Sequence, residues 1–207
     1  MNRLLKTYLD QNIIPIYDGF DFAHRSDHVK KVIFMSLEIA KDYEVDLDMV
    51  YTIACYHDIG MQFGREKHHI TGGLFLYNDQ ELKKYFDQSQ LITMKEAVED
   101  HRASNDDEPR TIYGKIIAEA DRDIDFDTVC LRTVQFGFKH YPHLNSDEHV
   151  DRAYAHIVDK YGPNGYLKLW LHTKHNQNGL KEIHQKLINE QEMKAYIKNI
   201  YLNIKKT

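Results

Sequence analysis

Cysteine is scarce in this 207-residue chain: Cys55 and Cys130 are the only two. Each stands alone inside a helical pattern, which excludes a disulfide framework and points to buried thiols in a reducing compartment. Long hydrophobic runs are missing as well. No stretch approaches the roughly 20 apolar residues that span a bilayer, and Met1 leads into Asn2, Arg3 and an amphipathic segment instead of a signal-peptide core. Cytosol is the simplest reading. Runs of alternating Val and Thr are nearly absent, so no substantial sheet is expected. An excess of basic residues is lacking too. The net charge of −5 argues against a broad basic surface for duplex nucleic acid. It leaves room for a small anionic ligand, because a bound divalent cation can supply positive charge locally.

What the sequence does have is helical periodicity almost throughout. The spacing predicts helices over about 27–43, 46–58, 68–77, 113–124, 128–139, 146–161, 167–172, 179–189 and 192–205. A short helix containing Leu82 and Phe86 follows a cap at Asp79, and another holds Leu91, Met94, Ala97 and Val98. Gly60 is expected to stop the second helix, Gly72 and Gly73 to permit close packing, and 103–110 to form a polar loop. No repeat, linker or low-complexity tract interrupts the chain. The reading is an all-α, single-domain bundle.

The histidines number 13, and several continue apolar stripes. His57 lies three residues past Ala54 and seven past Val50. Asp58 lies four past Ala54 and seven past Tyr51, so both prolong the inward face of their helix. His28 precedes Val32 by four, His101 follows Val98 by three, and Asp121 follows Ile117 by four. Taken singly, an inward histidine is more often a hydrogen-bonded core residue than a ligand, and an Asp near a helix end is usually solvated. Taken together, five polar residues on four inward faces are costly unless paired or metal-bound. Their mixture of imidazole and carboxylate suits Mn, Fe, Co, Ni or Zn better than Mg.

The order His28, His57-Asp58, Asp121 resembles the H…HD…D signature of the HD-domain superfamily. The segments around it are similar in turn: Ala23 to Val32 looks like the family's first helix, and Ala54-Cys55-Tyr56-His57-Asp58-Ile59-Gly60 resembles its HDIG segment. Arg65 to His69 resembles the Arg/His segment that follows, and Ala118 to Arg122 the last aspartate's helix. The resemblance implies an HD-type helical bundle with its core over about 20–126 and a C-terminal helical extension over about 127–207. It implies that His28, His57, Asp58 and Asp121 hold a divalent transition metal. His68, or its neighbour His69, and His101 would act on water or the leaving group, or bind a second metal. His24, Lys31 and Arg65 would contact the substrate; the family often has Arg where Lys31 stands.

The implied activity is metal-dependent hydrolysis of a phosphate ester or anhydride, with a nucleotide as the family-level substrate. No Walker-type glycine loop is present, so the chain is expected to break phosphate bonds and not to drive work with them. Two rivals remain open: an HD-type di-iron oxygenase, and a nonenzymatic nucleotide sensor. Glu99 and Asp100 read as a solvated helix face, and Arg65 and Arg122 could serve either phosphate or a structural ion pair. The C-terminal helices could shape the pocket or form a homodimer surface.

Overall fold

A computed structural model describes residues 1–20, 26–105, 107–122 and 124–206, the side chain of Lys206 excepted. His24, a candidate substrate contact, lies outside the described residues. The described residues form ten α-helices and no strand, the all-α class that the periodicity predicts. No helix among them is long and apolar enough to cross a membrane. The chain divides into two compact units, 1–123 and 124–207.

The first unit begins with α1 (Arg3–Tyr8), which winds on through a wider turn at Leu9–Ile13 and a tighter one at Ile14–Gly19. Then come α2 (Ser26–Ala40), α3 (Leu47–Tyr56), α4 (His68–Asn78), α5 (Gln88–Asp100) and α6 (Ile112–Arg122). Helices α2, α3, α5 and α6 pack on one another, and α4 lies on α5. Side-chain caps account for several starts. Asp46 accepts from the N–H groups of Asp48 and Met49, and Asp87 with Gln90 forms a reciprocal capping box. Asp79 does not cap a helix at 82–86. One of its oxygens accepts from Glu81 N–H and the other from the Tyr8 and Tyr56 hydroxyls, and only a single 3₁₀ turn, Leu82–Lys84, follows.

The second helix of the sequence reading ends earlier than expected. α3 stops at Tyr56, and a 3₁₀ turn covers Ile59–Phe63. Gly60 sits inside that turn and is needed for close approach, not termination. A Cβ there would stand 1.9 Å from the His68 carbonyl oxygen and 2.6 Å from Gly72 N. Only glycine lets α4 lie this close to the segment after α3.

The second unit comprises α7 (Phe126–His140), α8 (Ser146–Tyr161), α9 (Lys174–Leu187) and α10 (Glu190–Lys206). Its core includes Val134, Ala153, Ile157, Ile183 and Ile197. α8 starts from a capping box of Asn145 and Glu148. The expected helix over 167–172 is absent. Leu167 N–H returns to the Lys160 carbonyl at 3.0 Å, and Leu167 and Leu169 lean on the core while Tyr166 and Lys168 face solvent. That alternation belongs to extended chain. α9 instead begins at Lys174, capped by Thr173.

Candidate metal centre

His57 and Asp58 follow the end of α3. His57 keeps helical angles, φ −53° and ψ −44°, so its ring continues the inward stripe. Asp58, at φ −107° and ψ 4°, has left the helix, yet its carboxylate is buried. His28 comes from the first turn of α2, His68 from the start of α4, His101 from the end of α5 and Asp121 from the last turn of α6. The ends of five helices thus bring six side chains together.

The two oxygens of Asp58 face different neighbours. Oδ2 lies 3.3 Å from His57 Nε2 and 3.6 Å from His28 Nε2. Oδ1 lies 3.2 Å from His68 Nε2 and 3.5 Å from His101 Nε2. Asp121 Oδ1 is 3.2 Å from His28 Nε2 and 3.9 Å from His57 Nε2. The two imidazole nitrogens of His28 and His57 approach to 3.3 Å. Five of the six side chains are almost wholly enclosed, and Asp121 is the most open, its side chain 22% exposed.

Three of these rings are oriented by one device. His57 Nδ1 lies 2.8 Å from the Ala54 carbonyl, His68 Nδ1 2.7 Å from that of Arg65, and His101 Nδ1 2.6 Å from that of Val98. Each partner is three residues back. A carbonyl only accepts, so each Nδ1 carries a proton and each ring turns its Nε2 inward. Ligating histidines are commonly held this way through the other ring nitrogen.

Two buried carboxylates among imidazole nitrogens a little over 3 Å away need positive charge beside them. Without a metal, a proton supplies some of it. Burial works against charge on His28, but hydrogen bonds to Asp121 and Asp58 outweigh it and raise its pKa to about 9. Burial likewise opposes the Asp58 carboxylate, and the surrounding histidines more than reverse that, holding it well below the usual range. Asp121 is held low in the same manner, chiefly by His28. A divalent cation answers the same need more fully, and the donor set fits one. His28, His57 and Asp58 form one group that could hold a metal ion, and Asp58, His68 and His101 form another.

His68, not His69, reaches Asp58. His69 is half-buried beside His68, its Nδ1 is without a hydrogen-bond partner, and burial together with His68 and His101 pushes its pKa down to about 4. Lys31 is exposed on α2, one turn beyond His28. The Arg65 side chain is exposed too, while its carbonyl orients His68. Arg122 is buried and donates to the Ala118 carbonyl of its own helix.

Three contributors escape the sequence reading. Glu99 and Asp100 are not a solvated face: Arg110 donates to them at 2.7 and 2.8 Å and so ties residue 110 to the end of α5 beside His101. Tyr17 is fully buried against His57. The spacing of Leu5, Leu9, Ile13 and Tyr17, four residues apart and all buried, is a helical stripe that could have found it.

Comparison with known proteins agrees with this geometry. No curated protein sequence matches the chain. The crystal structure of a predicted HD superfamily hydrolase from an uncultured Thermotogales bacterium is similar in fold, with a TM-score of 0.50 and 23% identity, over 74% of this chain and 87% of that one. The family model of the HD domain matches residues 25–123. That segment contains all six converging side chains, and residues 25–123 of the chain are an HD domain.

Proposed function

We propose that the chain is a metal-dependent phosphohydrolase acting on a phosphate ester or anhydride, with a nucleotide as the substrate class. The observation that carries this reading is the set of inward Nε2 atoms facing two carboxylates, three of them on rings fixed by Nδ1–H bonds to carbonyls. His28, His57, Asp58 and Asp121 would hold the cation. When bound, it supplies Lewis acidity, polarising a phosphoryl oxygen and acidifying water.

The chain's own residues would do the rest. His68 and His101 turn Nε2 inward beside Asp58 Oδ1. They would orient the attacking water, take its proton and return it to the leaving oxygen. Lys31 and Arg65, exposed on α2 and ahead of α4, are the cations proposed to neutralise the phosphate. The test is a Mn²⁺-supplemented phosphatase and pyrophosphatase screen over nucleotides with products identified. Release of phosphate or pyrophosphate that a chelator abolishes is the expected result. No turnover of any phosphorylated compound would overturn the reading.

One observation favours a second metal. Asp58 turns Oδ2 toward His28 and His57 and Oδ1 toward His68 and His101, as a carboxylate bridging two cations would. A binuclear centre would move His68 and His101 from proton transfer to ligation. Two irons per chain with oxygen-dependent turnover would make the protein an oxygenase.

A further inference from the structure

The segment ahead of α2 is not matched by the HD-family model, which begins at residue 25, yet it runs beside α3 and touches it repeatedly. Asn2 N–H donates to Asp48 at 2.8 Å. The Tyr51 hydroxyl donates to Asp10. Farther along, the Tyr17 hydroxyl donates to the Cys55 carbonyl at 2.9 Å and accepts from Asp58 N–H at 3.2 Å. These contacts advance along both partners, from Asn2 to Tyr17 on one and from Asp48 to Asp58 on the other.

The last contact falls where α3 ends. Backbone groups at a helix C-terminus need partners from outside the helix ladder. Here one buried hydroxyl serves two of them, and they bracket His57. Asp58 is held by it at non-helical angles, φ −107° and ψ 4°, which aim the carboxylate between the two histidine pairs. The Tyr17 ring also lies along the His57 ring, with centroids 6.2 Å apart and planes 30° apart. The Phe20 ring also lies against Tyr17, with centroids 5.1 Å apart and planes 55° apart.

We infer that Tyr17 is a positioning residue for the metal centre: its hydroxyl sets the backbone of the His57-Asp58 doublet and so the geometry of two ligands. The inference rests on the metal reading above. It differs from a merely structural role because an equivalent hydroxyl on the same segment, that of Tyr8, bonds to Asp79 at 2.6 Å and touches neither ligand. Loss of the Tyr17 hydroxyl takes a partner from the Cys55 carbonyl and the Asp58 N–H. Loss of the Tyr8 hydroxyl takes one of two hydroxyls from the half-buried Asp79. Both losses should destabilise. Only loss of the Tyr17 hydroxyl should reach the cation.

The experiment compares metal-stripped full-length wild type, Tyr17→Phe and Tyr8→Phe. Mn²⁺ affinity is read by calorimetry and the Co²⁺ complex by its visible absorption. Groups that support metal ligands typically contribute 10–100-fold in affinity, so Tyr17→Phe should weaken Mn²⁺ binding by about that factor. It should also change the position or intensity of the Co²⁺ bands. Tyr8→Phe should leave both unchanged. Equal affinity and spectrum in Tyr17→Phe and wild type would overturn the inference, as would the same loss in both variants. A wild type that takes up no Mn²⁺ would overturn the metal reading itself and this inference with it. Should Tyr17→Phe not fold, hydrogen exchange in the wild type decides: the Asp58 amide should be as protected as those inside α3, and rapid exchange there would overturn the inference.

Discussion

The two units of this chain are made of similar helices and have opposite interiors. In 124–207 the inward stripes meet in a largely apolar core of Val134, Ala153, Ile157, Ile183 and Ile197. In 1–123 equally regular stripes of Val29, Val50, Ala54, Val98 and Ile117 lead into His28, His57, Asp58, His101 and Asp121. The first arrangement is stabilised by removing apolar surface from water. The second has buried charge and lone pairs where further apolar packing would serve stability better, and that is sensible only if something positive is to be held there.

The strongest way to break this comparison is Asp58→Ala. Asp58 faces all four histidines, so its loss should abolish tight Mn²⁺ uptake and, with it, hydrolysis; metal content by mass spectrometry and phosphate release check both. His101→Ala should do less. The reading in which His101 handles a proton expects metal content near normal and a rate lower by about 10²–10⁴-fold. Loss of one of two bound metals would instead assign His101 to a binuclear centre.

Each unit of pH should have a smaller effect. In the metal-free chain His28 has its pKa raised to about 9, so below that pH it carries a proton that an entering cation must displace. Mn²⁺ affinity is therefore expected to fall as pH falls below 9, by about tenfold per unit while one proton is displaced. The proton's benefit to the metal-free fold has the opposite sign. It is fully present below the ordinary histidine pKa of 6.5 and lost as pH rises through about 9. Isothermal titrations from pH 6 to 9, with parallel thermal melts of the stripped protein, measure both.

At the other extreme stands Ile157→Ala in the apolar unit. Ile157 is wholly buried, and truncation should cost about 2–5 kcal/mol of that unit's stability. Mn²⁺ stoichiometry should stay unchanged. A denaturant melt and a metal assay on the same preparation would show the separation.

The comparison also explains what the sequence made legible. Apolar spacing marked most helices, and polar residues placed in phase with it marked His57, Asp58, His101 and Asp121. That logic survived even though α3 stops at Tyr56, because His57 keeps helical angles and so stays in phase. Periodicity could not report contacts made by backbone. Nothing in the spacing indicates that the carbonyls of Ala54, Arg65 and Val98 orient three histidines, or that Gly60 is required by the His68 carbonyl. At 167–172 four apolar residues in six read as a helix, and the chain is extended because alternate residues face the core. The 3–19 segment carries a buried stripe every fourth residue, but its turns change pitch twice, which blurs the period that identifies a helix.

The most direct measurement is anomalous diffraction from crystals grown or soaked with Mn²⁺. A peak enclosed by His28, His57, Asp58 and Asp121 is expected, about 2.1 Å from the two imidazole nitrogens. Full Mn²⁺ exposure that leaves no peak there, with the four side chains apart, would contradict the metal centre.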